Sequence, residues 1–383
     1  MESTPTLDPE RQKKAKEYAR ISRRLMVVDL AIGGVYALAW LILGWSAGVR
    51  TWLAGFSANP WLLVALYAVV FGGIYLLVNL PLSYYEEYLL PHRFEQSTQP
   101  LKDWIGDQLK GLGVGALLGG IILEIIYAVL RAFPDTWWLW AAVILILFSV
   151  LLANLAPVLL MPLFNKFSPL GSEHQDLVDR LTRLFEKAGT RVKGVYKFDM
   201  SRRTKSANAA LTGLGSTRRI ILGDTLLNEF TPDEIETVMA HELGHQVNHD
   251  IPLMIVAQSA LTLAGLWLAS LGLRWGVGLF GLSGPADVAA LPVFMLVMGL
   301  YGLVTMPLTN ALSRWRESKA DQYALATTRN AAAFASAMTR LANQNLSDAD
   351  PEAWVELLLY SHPALSKRIH MAEAFTGGAE GTG

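Results

Sequence analysis

The sequence predicts a mostly α, polytopic membrane protein that carries a small α+β unit on one side of the bilayer. Three observations predict it. Six apolar runs are each long enough to cross a hydrocarbon core, which takes about 20 helical residues. A well-capped helical stretch and an amphipathic one lie in the polar segment between the fourth and fifth runs. Three short strand-like runs stand between those two helices.

Composition supports the membrane assignment. Hydrophobic residues make up 52% of the 383 and charged residues only 17%, with a mean hydropathy of +0.32. The net charge of −1 supplies no global field for nucleic acid, so no nucleic-acid partner is expected. Cysteine is absent, which excludes disulfides and thiolate metal ligands.

The chain opens with a basic, polar segment, 1–24. The first apolar run, 25–49, follows it without a small-residue cleavage site, so this is not a signal peptide. Runs 61–82, 111–130 and 137–160 complete a four-span region, 25–164. A polar segment, 165–250, precedes two further runs, 251–273 and 289–308, within 251–309. A charged helical segment, 310–376, and a Gly-rich tail, 377–383, read as flexible, end the chain. Any one apolar run could be a buried core helix, but six in one chain favour an integral membrane protein. Lys and Arg gather in 1–24, in the loop after run two (Arg93, Lys102, Lys110) and after run four, whereas the opposite loops hold one each: Arg50, Arg131 and Arg274. The bias places the N-terminus, 165–250 and the C-terminal segment on the cytoplasmic side.

Within 165–250, residues 174–189 read as an amphipathic helix. Runs 192–198, 206–212 and 219–222 read as strands of a small antiparallel sheet. Thr231-Pro232-Asp233-Glu234 is a helix start, with an N-cap Thr, Pro at the first position and Glu at the third. That helix should run from Pro232 to Asn248, before Pro252 limits it. It carries His241-Glu242-Leu243-Gly244-His245, an HExxH pattern. Residues four apart share a helix face, so both imidazoles can reach one metal, with Glu242 beside it as a candidate base for water.

A catalytic zinc takes three protein ligands. His249 is one candidate for the third, although three ligands along one helix would splay over two turns. Glu317 is the better one. It lies in the charged stretch after run six, where Asp321 shares its face and Arg314 sits one turn back. Such a stretch could also be simply a solvated helix. In the membrane, Glu124 sits mid-run and suggests a wet interior. Asn154 and Pro157 suggest a kink toward the same interior. Most of the twelve Trp residues, such as Trp137, Trp138 and Trp140, read as interfacial belts.

HELGH, then a span, then SRWRESKAD at 313–321, then His362-Pro363, resembles the type I CAAX prenyl proteases. These are integral-membrane HExxH-plus-Glu zinc metallopeptidases, to which the HtpX-type proteases are more distant. Tyr85-Glu86-Glu87-Tyr88, the stretch 92–98, Trp104 to Asp107, Pro162 to Phe167 and Ser206 to Ala210 look like further pieces of that family. The resemblance spans about residues 60–372. It implies a ring of transmembrane helices around a chamber, capped by a small α+β zinc metalloprotease domain. It also implies one zinc ion per chain on His241, His245 and Glu317. Glu242 would take a proton from the attacking water, and Asp321 and Arg368 would orient ligands. His362 would stabilise the oxyanion or hold the scissile carbonyl, and Asn208 and Ala209 would bind substrate backbone. The substrate would be a peptide or protein end, prenylated or membrane-bound. Described eukaryotic members have seven spans, against six runs here. A general membrane-protein quality-control protease, a non-catalytic zinc-stabilised scaffold and a transporter are the alternatives.

Overall fold

A computed structural model describes residues 5–213 and 215–380. Six long helices are apolar enough to cross a membrane. α1 (Pro9–Ile42) begins in the basic segment, capped by the Asp8 carboxylate, which accepts from the Glu10 and Arg11 amides. It ends earlier than the first apolar run. Gly44, at φ 70°, breaks the run, and α2 (Trp45–Ala54) starts after it. Only glycine enters that left-handed region cheaply. α3 (Pro60–Tyr84) passes through a π turn, Tyr85–Leu89, into the short α4 (Leu90–Arg93). α5 (Leu101–Ala132), α6 (Trp137–Leu159) and the short α7 (Met161–Phe164) complete the first half.

The polar segment opens with β1 (Phe167–Pro169) and α8 (Gln175–Lys187), then β2 (Val195–Phe198), β3 (Ala209–Thr212) and β4 (Arg219–Gly223). α9 (Asp224–Glu229) and α10 (Pro232–Val247) follow. The expected capping box of α10 is present. The Glu234 amide donates to the Thr231 hydroxyl at 3.3 Å, and the Thr231 amide donates to the Glu234 carboxylate at 2.7 Å. The sheet departs from the expectation. It has four strands in the order β1-β2-β4-β3, with β2 and β4 parallel and the outer pairs antiparallel. Alternation along a strand reports its faces and not its partner, and the β3–β4 hairpin returns β4 alongside β2.

α11 (Asp250–Phe280) and α12 (Leu291–Thr328) are the last membrane helices, and α13 (Ala331–Gln344), α14 (Ala353–Leu359) and α15 (Leu365–Glu380) end the fold. α15 is helical to Glu380, so the first four residues of the expected flexible tail, 377–383, are helix; 381–383 lie outside the described residues. The six long helices form a closed circuit. α1 packs on α3, α3 on α5, α5 on α6, α6 on α11, α11 on α12, and α12 returns to α1.

One end of the ring is plugged. Tyr36 and Trp40 of α1, Tyr67 and Phe71 of α3, Tyr127 of α5 and Trp137 of α6 pack together there with α11 and α12. Trp137 is thus core, not interfacial belt, at 1% exposure. Away from the plug little of each span is buried. Glu124 is half-buried beside the plug, its Oε2 without a hydrogen bond. The α+β unit caps the other end. Its core joins Leu181 and Phe185 of α8, Ile220 and Leu222 of β4, Met239 and Leu243 of α10, and Phe334 of α13. The start of α1 lies on this end too, where Arg11 Nε donates to the Asn343 carbonyl at 2.6 Å.

Candidate active site

The site lies where α10 crosses α12. Gly244 makes that crossing close: a Cβ there would stand 3.0 Å from Ala320 Cα and 3.1 Å from its carbonyl oxygen. α12 runs unbroken from the membrane into this contact and so delivers Glu317 and Asp321, on either side of Ala320, to the HELGH face.

His241, His245 and Glu317 converge. His241 Nε2 lies 3.2 Å from His245 Nε2 and 3.2 Å from Glu317 Oε2, and His245 Nε2 lies 3.4 Å from Glu317 Oε1. A tetrahedral first-row divalent ion with bonds of about 2.0–2.1 Å holds its ligand atoms roughly 3.3 Å apart. Each of these separations is close to that edge length, with Glu317 meeting His241 through Oε2 and His245 through Oε1. Two further facts fit such a site. Glu317 Oε2 is buried yet accepts no hydrogen bond. Each imidazole also spends its Nδ1 on a carboxylate, His241 on Asp321 Oδ1 at 2.8 Å and His245 on Asp250 Oδ2 at 2.7 Å. Carboxylates placed there fix the tautomer that turns the Nε2 lone pairs toward a common centre.

An arginine braces each carboxylate. Arg368 grips Asp321 with two hydrogen bonds, Nε to Oδ2 at 2.8 Å and Nη2 to Oδ1 at 2.6 Å. Arg316 Nη2 contacts Asp250 Oδ1 and donates to the Asn248 carbonyl at 2.6 Å. Asp250 and Arg316 were not foreseen. The pointer to Asp250 is a carboxylate just past the helix, five residues after His245. It reaches back because His249 adopts φ 54°, which turns the chain sharply between α10 and α11. His249 itself is exposed and outside the cluster.

The charges balance around this centre. Burial alone would push the His241 and His245 rings down. Asp321 and Glu317 outweigh it at His241, and Glu317 with Glu242 at His245, so both stay above the usual histidine range. Burial would raise Glu317, but the two histidines hold it well below the ordinary carboxylate range. Glu242 goes the other way, lifted by burial with Glu317 adding and the histidines opposing. A carboxyl so lifted is suited to exchange a proton. The Leu211 amide hydrogen-bonds it.

His362 sits on the loop between α14 and α15. Its Nε2 is 3.3 Å from Glu317 Oε1, and its Nδ1 is 2.9 Å from the Ser361 hydroxyl. Burial, with Arg368, His241 and His245, keeps its ring below the usual range. Two groups hold the loop. Arg314 donates to the carbonyls of Glu356 at 2.8 Å, Leu357 at 3.1 Å and Tyr360 at 2.5 Å. Glu356 accepts from the Ala364 amide at 3.1 Å and Lys367 Nζ at 2.6 Å.

Asn208 and Ala209 border a cavity of about 320 Å³ that also meets Glu242, His362 and Arg368. The Asn208 carbonyl accepts from the Gly223 amide, so it faces β4 rather than the site. Antiparallel register then turns the amides and carbonyls of Ala209 and Leu211 to the outer edge of β3, where the Leu211 amide meets Glu242.

Residues 2–166 match the model described as CAAX prenyl protease N-terminal, five membrane helices, and residues 172–376 match peptidase family M48. The chain is 30% identical to the uncharacterized metalloprotease YhfN of Bacillus subtilis, over 94% of this chain and 84% of that one. It is 32% identical to CAAX prenyl protease 1 of Saccharomyces cerevisiae, over 76% and 68%. The crystal structure of S. mikatae Ste24p superposes with a TM-score of 0.86 at 25% identity, covering 97% of this chain and 92% of that one. The chain belongs to peptidase family M48, among the type I CAAX prenyl proteases, and is a membrane-embedded metalloendopeptidase.

Proposed function

We propose that the metal is zinc, one per chain, held by His241, His245 and Glu317, and that the substrate is a protein end presented at the membrane, with a prenylated CAAX-like terminus its leading form. The observation that carries this is the triangle of ligand atoms with Glu242 and the free edge of β3 beside it. A zinc ion there supplies Lewis acidity, polarising a peptide carbonyl and acidifying water. The chain's own residues do the rest. The outward amide and carbonyl of Ala209 and the outward carbonyl of Leu211 pair with an extended substrate as with an added strand. Glu242 takes a proton from the attacking water and delivers it to the leaving amine. His362, its Nδ1 accepting from Ser361, keeps a proton on Nε2 and donates it as a hydrogen bond to the carbonyl oxygen as charge develops. Asp321 and Arg368 hold His241 in register. The basic loops put this face, with both termini, on the cytoplasmic side.

The test is to incubate the protein and Glu242→Gln with a farnesylated CAAX peptide and its unlipidated twin, reading products by mass spectrometry. Loss of three C-terminal residues from the lipidated peptide alone, with the parent chain alone, supports the proposal. Scattered cuts in both peptides would favour a quality-control protease instead.

A further inference from the structure

α14 is short, yet three of its large apolar side chains are left uncovered. Trp354 and Leu357 are 57% and 58% exposed, and Leu358 is 37% exposed. Spaced by three and four residues, they share one helix face. The other face is spent inside the protein. Val355 is fully buried, and the buried Glu356 holds the Ala364 amide and Lys367 Nζ. An apolar face of this kind needs a cover.

Both ends of α14 are tied to membrane helices at the edge of their spans. Before its first turn, Glu352 meets Arg23 of α1 at 3.5 Å. Val27, four residues on, is the first large exposed apolar residue of α1. At its last turn, the Leu358 carbonyl accepts from Asn310 Nδ2 of α12 at 2.8 Å. Leu308, two residues back, is an exposed apolar residue of that span. At 1.5 Å of rise per residue, the two anchors stand about 6 Å and about 3 Å beyond the apolar surface. α14 is therefore level with the hydrocarbon edge at both ends. Its surroundings suit that depth. Trp315 of α12 is half-exposed, with the Arg316 guanidinium 4.9 Å over its ring, and Arg20 and Arg24 stand exposed on α1. Aromatic rings and cations together favour the headgroup layer and its phosphates.

We infer that α14 is an interfacial helix. Its Trp354, Leu357 and Leu358 face sits in the headgroup–acyl boundary of the leaflet on the α+β side, and the bilayer thereby holds the loop that carries His362. Helices of this class sink about 5–10 Å into that boundary, which matches the depth of the two anchors. His362 follows the end of α14 by three residues, so a helix fixed in the bilayer fixes the start of that loop.

The chain has no cysteine, so Leu357→Cys gives one site for an environment-sensitive fluorophore on the full-length protein in lipid nanodiscs. Phospholipids spin-labelled high on the acyl chain should quench it strongly, and aqueous iodide only weakly. Quenching by iodide without quenching by lipid would put the face in water and overturn the inference. Trp354→Cys carries the same measurement if Leu357→Cys does not fold. Leu357→Glu in the same nanodiscs should speed amide exchange at 360–364 by on the order of tenfold, the scale of one leucine's burial. Leu357→Phe, which keeps the face apolar, should exchange as the parent chain does. Exchange unmoved by Leu357→Glu, or raised equally by Leu357→Phe, would overturn the bilayer's hold on the loop. Neither readout needs a cut peptide, so its failure is distinct from failure of the peptidase reading.

Discussion

Asp250 Oδ2 stands 2.7 Å from His245 Nδ1, as Asp321 Oδ1 stands 2.8 Å from His241 Nδ1, and each aspartate is contacted by an arginine. The two histidines of the HELGH motif are thus held by matching Arg–Asp–His relays from different elements, one at the start of α11 and one on α12.

Asp250→Ala should therefore weaken metal binding by roughly 10- to 100-fold, the usual loss when such an outer carboxylate is removed. Competition against a chelator measures this without reference to activity. Affinity unchanged from the parent chain would show that Asp250 only neutralises Arg316.

Gly244→Ala inserts a methyl group where α10 meets the backbone of α12 at 3.0 Å. The helices must part, at a cost of about 1–3 kcal/mol for an overpacked contact. Glu317 then moves away from the histidines. A lower Tm together with lower metal content is expected, and a Tm equal to that of the parent would refute the close crossing.

Protons and metal compete for the same Nε2 atoms. Neighbouring carboxylates hold His241 and His245 above the usual 6.5, despite burial. Metal retention should thus begin to fall at a pH above that value and decline further as pH drops. Asp321→Asn removes one of the raising charges and should move the midpoint down for the His241 step. Chelator competition from pH 8 to pH 5.5 reads both curves.

Glu356 titrates in the opposite sense. Burial would raise its carboxyl, but Lys367, the Ala364 amide and Arg314 hold it below the usual carboxylate range. Its folded pKa is depressed, so its contribution is complete above the unfolded value of about 4.3 and is lost as pH falls through the folded one. Acidification below about pH 4 should loosen the loop that carries His362. Hydrogen exchange at 360–364 should show this in the parent chain and show much less pH dependence in Glu356→Gln.

The parts legible in sequence were those fixed by local chemistry. The α10 helix follows from a cap and a proline within four residues, and the placing of Glu317 follows from one apolar run ending in a charged helix. Long helices were legible for the same reason, except where Gly44 breaks one. What stayed hidden depends on distant pairing or rare backbone. The parallel join of β2 and β4 depends on where the hairpin returns. Asp250 finds His245 only because His249, a non-glycine residue, takes a left-handed φ. Trp137 looks interfacial because its sequence neighbours do, yet it joins a buried cluster drawn from most of the membrane helices.

α12 is at once a wall of the membrane ring and the donor of Glu317. His241 and His245 precede α11, whereas Glu317 follows the last span. No stretch of this chain that lies wholly outside the bilayer contains all three residues of the His–His–Glu group, so no water-soluble fragment can be excised with the whole group. The enzyme is indivisible: its chemistry and its anchorage are the same helix.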